Sequence, residues 1–95
     1  MSEMQQASAS VLTLSTRAMV PQVQRFGSRE IEITFLGNNT FGQPTWLLWN
    51  PNEPYLIGVL RQGKLGFTFE QRTDHGVMLH ENISLQRVQR ALGGF

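Results

Sequence analysis

Residues 55–71 (YLIGVLRQGKLGFTFEQ) hold the pattern that most narrows what this chain can become. Gln62-Gly63 reads as a two-residue hairpin loop, with glycine supplying the positive φ that such loops need. That loop sets Arg61 opposite Lys64, Leu60 opposite Leu65, Gly58 opposite Phe67 and Leu56 opposite Phe69. Leu56, Leu60, Leu65, Phe67 and Phe69 then fall on one face. A one-residue slip would scatter them over both faces, so the alternation supports this register. The other face carries Tyr55, Ile57, Val59, Gly66, Thr68 and Glu70. Ile57 and Val59 make that side half apolar too, and something is expected to cover it.

The rest of the chain extends the β pattern in both directions. Residues 11–16 (VLTLST) mix β-branched residues with leucine and predict a first strand. Residues 17–27 read as a connection, with a short helix starting at Pro21 and ending at Gly27. Val20, Val23 and Phe26 would share one side of it. Residues 30–36 (EIEITFL) alternate cleanly, with Ile31, Ile33 and Phe35 against Glu30, Glu32 and Thr34. Residues 37–44 (GNNTFGQP) are dense in turn formers. Residues 45–50 (TWLLWN) are apolar on both faces, as expected of a central strand or one that meets a partner. Pro51-Asn52-Glu53-Pro54 breaks the chain, and Thr73-Asp74-His75-Gly76 makes a second turn. Residues 77–80 return as a third strand of a meander. Ser84 is placed to cap a helix over 85–92, with Leu85, Val88 and Leu92 as its apolar stripe. Gln86, Arg87, Gln89 and Arg90 form its polar side, and Gly93-Gly94 stops it.

At 95 residues there is room for one hydrophobic core. The expected fold is therefore mainly β (α+β): one small antiparallel sheet or barrel of five or six strands with a C-terminal helix. A polar N-terminal tail, residues 1–10, precedes a single β-rich domain, residues 11–95, whose helical segment is 84–92. The helix is expected to lie across the apolar face of the hairpin.

Charged residues are only 16% of the chain, against roughly 25% in ordinary domains. Their place is taken by uncharged polar residues, including nine Gln and five Asn. Between Leu47 and Leu60, Glu53 is the only charge. Charge depletion of this kind suits a surface that something covers. The net charge is +1, with no basic or acidic run. That weakens any electrostatic case for nucleic acid or an anionic membrane.

Chemical sites are sparse. The absence of cysteine excludes disulfides, cysteine-ligated metals and thiol catalysis. His75 and His80, with Asp74 and Glu81 beside them, have no recognised ligand spacing and no nucleophile motif. Gly63-Lys64-Leu65-Gly66 lacks the strand–loop–helix setting of a phosphate cradle. No cofactor or metal is expected. Residues 1–10 lack the basic and apolar regions of a secretory signal, and no apolar run is long enough to span a bilayer. No membrane partner is expected, and a cytoplasmic or virion-associated location fits.

These features point to a non-enzymatic structural or protein-interaction subunit. Its partner would be another copy of itself or another protein, in a homo-oligomer or a larger, virion-type assembly. Trp46, Trp49, Tyr55, Ile57 and Val59 are the expected contacts, with Arg87 and Arg90 as a polar rim. The alternative is a small β-barrel module that binds single-stranded nucleic acid by stacking bases on aromatics beside cations. It would use Trp46, Trp49, Tyr55, Arg61 and Lys64.

Overall fold

The computed structural model describes residues 12–26, 29–53 and 55–93. Six strands follow one another: β1 (Gln22–Phe26), β2 (Arg29–Asn38), β3 (Pro44–Asn50), β4 (Tyr55–Gln62), β5 (Phe67–Thr73) and β6 (Gly76–Ile83). One helix among the described residues, α1 (Leu85–Gly93), closes the order. The strands form a single antiparallel meander in which each pairs with its sequence neighbour. The fold is thus mainly β with a C-terminal helix, and among the described residues β1 and β6 are the two edges of its sheet. The tail expected over residues 1–10 lies outside the described residues.

Period-two alternation divides the sheet into two faces. On the first, Phe35, Trp46, Leu60, Phe69 and His80 form one row across five strands. Ile33, Leu48, Gly58, Gln71 and Met78 form the next. Ring contacts tie the first row together. Phe35 and Trp46 lie 5.2 Å apart, and Phe69 stacks on His80 at 5.9 Å. Gly58 is required where it is. A Cβ there would stand 2.6 Å from the Phe69 ring and 2.5 Å from the Glu70 carbonyl oxygen.

Helix α1 packs on this first face. The Ser84 hydroxyl accepts a 3.2 Å bond from the Arg87 backbone N–H, satisfying a donor at the helix start. Val88 and Leu92 are fully buried in one core with Ile31, Ile33, Leu48, Leu60 and Phe69. Each buried side chain of this size contributes about 1.5–3 kcal/mol. The Gln71 side-chain amide donates to the Ala91 carbonyl at 2.9 Å, fixing the helix over β5. Gln89, expected on the polar side, is buried. Its carbonyl oxygen accepts from the Leu12 backbone N–H at 2.9 Å.

Residues 12–16 are not a strand but a strap across the first face. Their backbone groups find side-chain partners instead of a ladder. The Trp46 indole N–H donates to the Ser15 carbonyl at 2.8 Å. The Gln24 amide bonds both the N–H and the carbonyl of Thr13. Leu12 is buried, and Leu14 packs against the core. The helix expected after Pro21 is likewise replaced, by β1. Pairing with β2 through five residue pairs satisfies its backbone. Val20 and Val23 stay exposed, so no helical apolar stripe exists to bury.

The β4–β5 hairpin also departs from expectation. Its loop is residues 63–66, closed by the Gly63 N–H donating to the Gly66 carbonyl at 2.8 Å. Leu60 stands opposite Phe69 and Arg61 opposite Thr68. The partner strand is therefore displaced by four positions from the expected pairing. An even displacement keeps Leu60, Phe67 and Phe69 on their expected face, so alternation could not distinguish the two. Leu65 is left at the loop tip, 83% exposed. Between β3 and β4 the register runs from Leu48–Gly58 to Trp49–Leu56 and skips Ile57. This bulge turns Ile57 into the core and pairs Leu56 with Trp49, the reverse of the expected facing.

Candidate interaction surfaces

The second face of the sheet carries no helix or further sheet among the described residues. Thr34, Leu47, Val59, Glu70 and Leu79 form a row across it. Val23, Glu32, Trp49 and Leu56 form another. Leu47, Trp49, Leu56 and Val59 are half-buried and sit together on the central strands β3 and β4. Arg61 and Glu70, diagonal neighbours on this face, form an ion pair. Both side chains are partly exposed, so the pair contributes at most about 1 kcal/mol.

A second surface lies at the end of the sheet where the β2–β3 and β4–β5 loops meet. Phe41, Pro44, Gly63 and Lys64 line a shallow concavity there. The Asn39 side chain shapes the first loop. Its oxygen accepts from the backbone N–H groups of Phe41 and Gln43, each at 2.9 Å. Phe41 is 85% exposed on that braced loop. Sequence reasoning passed over it, although it is the one large apolar residue within GNNTFGQP.

The third surface is the outer edge of β6. Val77, Met78 and Leu79 are consecutive and each just over half exposed. Neighbouring strand residues point to opposite faces, so this edge is apolar on both sides.

The expected contact residues divide among these places. Trp49, Val59 and Arg61 come together on the second face. Tyr55 is exposed at the start of β4, and Lys64 is exposed in the β4–β5 loop. Arg87 and Arg90 are exposed on α1, which packs on the opposite side of the sheet. Trp46 and Ile57 are corrections. They are 3% and 5% exposed and belong to the core. Trp46 is held there by the strap and Ile57 by its bulge, so neither offers a contact surface. Of the residues named for nucleic acid, Trp46 is thus enclosed and Arg61 is engaged by Glu70.

The histidines are apart in environment. His75 is exposed in the β5–β6 turn. The His80 Nε2 lies 3.0 Å from the Gln71 side-chain oxygen, with its ring on Phe69. Among the described residues no group of three or more metal-ligating side chains gathers. No helix among them is long and apolar enough to cross a membrane. Comparison with protein-family models, with curated proteins and with solved structures finds no match to this chain.

Proposed function

We propose that this chain is a non-enzymatic structural or protein-interaction subunit that works in a homo-oligomer or a larger assembly. One observation carries the reading: the apolar centre of the second sheet face at Leu47, Trp49, Leu56 and Val59. An antiparallel sheet with one solvated face normally alternates to polar residues on that side. Here the alternation fails on the two central strands, where a partner would gain most from burial. The low charge of the same segment supports it, because charges are depleted at the cores of protein interfaces. A cysteine-free chain suits a reducing compartment, in keeping with a cytoplasmic or virion-associated subunit.

Sedimentation of the full chain at micromolar concentration tests the proposal. The expected result is a species heavier than the 10.8 kDa of one chain. A strictly monomeric protein across the accessible concentration range overturns it.

A further inference from the structure

We propose that β6 pairs antiparallel with β6 of a second copy, about a two-fold axis at Met78, joining two six-stranded sheets edge to edge. The proposal rests on the assembly reading and names one contact within it.

The two edges of the sheet are not equivalent. An edge strand offers unpaired N–H and C=O groups on alternate residues, and proteins usually guard it with charge or proline. On β1 the exposed Val23 is flanked by the polar residues Gln22, Gln24 and Arg25, and Pro21 stands directly before the strand. Gln24 is further occupied with Thr13. On β6 the stretch Gly76-Val77-Met78-Leu79 contains no charge and no proline. The pairing with β5 is regular from Thr73–Gly76 to Phe69–His80, and the bulge comes only beyond it. Among the described residues a straight, unguarded strand therefore faces outward.

Its side chains are apolar on both faces. Val77 and Leu79 share the second face with Arg72 and Glu70, whereas Met78 lies on the face of Gln71. They are 55%, 53% and 52% exposed, respectively. A ligand lying on one sheet face would bury only part of this set. A strand added at the edge reaches all three, because its side chains alternate in the same way.

The sequence of β6 selects a second copy as that strand. A two-fold axis relating antiparallel strands stands perpendicular to the sheet and keeps like faces together, so it passes through a residue position. With the axis at Met78, Val77 meets the partner's Leu79 twice, and Met78 meets the partner's Met78. Continuing outward, Gly76 meets the partner's His80, which ends the regular stretch of the edge. Val77, Met78 and Leu79 thus oppose only apolar residues. Moving the axis to Leu79 sets Met78 against the partner's His80. Moving it to Val77 carries Leu79 beyond the first residue of the partner's strand, Gly76. Only the Met78 axis sets all three apolar residues against apolar ones. It also leaves α1 of both copies on one side of the joined sheet.

The cysteine-free chain makes the test clean. Opposed residues in an antiparallel pair have Cα atoms about 4.5–5.5 Å apart, within disulfide reach. Met78→Cys should form a covalent dimer under mild oxidation, while Val77→Cys, Leu79→Cys and Arg87→Cys should not. Met78→Lys should weaken dimer formation at least about tenfold by sedimentation, since it places two like charges on the axis. Circular dichroism of the variant checks its fold; Met78 is half exposed, so the monomer should fold normally. An oligomer unaffected by Met78→Lys, or cross-linked through Leu79→Cys or Val77→Cys instead, overturns the β6 contact and leaves the assembly reading standing. A wild-type protein that is monomeric throughout overturns both.

Discussion

The backbone N–H of Leu12 donates a 2.9 Å hydrogen bond to the side-chain oxygen of Gln89, across 77 positions of sequence. The bond joins the strap to α1 beneath the surface, with Leu12 itself 1% exposed. A buried backbone donor left without a partner costs about 1–3 kcal/mol. Gln89→Leu should therefore destabilise the fold by about that amount, although it adds an apolar side chain to the core. Thermal unfolding followed by circular dichroism measures it. About 4–8 °C of midpoint should be lost per kcal/mol in a domain of this size.

Gly58 should be intolerant of even one added carbon. A Cβ there meets both the Phe69 ring and the Glu70 backbone oxygen. The ring can turn aside, but the carbonyl belongs to the neighbouring strand and moves only with it. Gly58→Ala should cost about 1–3 kcal/mol, the usual range for overpacking. Urea denaturation is the measurement, and a neutral result would mean that β4 and β5 separate more easily than their pairing implies.

Much of the fold was legible because burial imposes periodicity. β2 and β3, the turn at Asp74-His75, the Ser84 cap and the helix after it all follow from local pattern. What stayed hidden depended on long-range partners. Residues 12–16 look like a strand, but their polar groups are satisfied by Gln89, Gln24 and Trp46, which no local pattern reveals. Gln89 looked like a solvent-facing residue for the same reason. Ile57 was expected on the outer face because alternation was carried through a bulge that the sequence does not mark. The interaction surfaces were half legible. Trp49, Val59 and Arg61 do share a face, whereas Phe41 and the β6 edge stand out only through their exposure.

The observed hairpin register can be tested by two leucines that the expected pairing treats alike. Leu60 is fully buried opposite Phe69, whereas Leu65 is at the loop tip. Leu60→Ala should cost about 2–5 kcal/mol. Leu65→Ala should stay within about 0.5 kcal/mol of the parent, as exposed sites do. Comparable losses at both positions, measured by urea denaturation, would instead support the tight two-residue loop.

Arg61 and Glu70 should show weak, salt-sensitive coupling. Their ion pair sits on the exposed second face, with side chains 27% and 37% accessible. A double-mutant cycle with Arg61→Ala and Glu70→Ala should return about 0.2–1 kcal/mol, and less at high ionic strength. A larger, salt-independent coupling would mean that this part of the face is shielded from water by another chain, which dilution of the protein would reverse.

The second face itself is tested by removing apolar surface without disturbing the strands. Val59 lies between Leu47 and Glu70 in the row across that face and is half-buried. Threonine keeps the β-branched shape, so Val59→Thr should change monomer stability by less than about 1 kcal/mol. If the apolar centre is a contact, the same substitution places a hydroxyl in the interface. Association should then weaken by about tenfold, since an unsatisfied polar group costs about 1–3 kcal/mol. Sedimentation of Val59→Thr beside Met78→Lys separates the two surfaces. Loss with Val59→Thr alone assigns association to the face, loss with Met78→Lys alone assigns it to the edge, and loss with both requires the two contacts to act in one assembly.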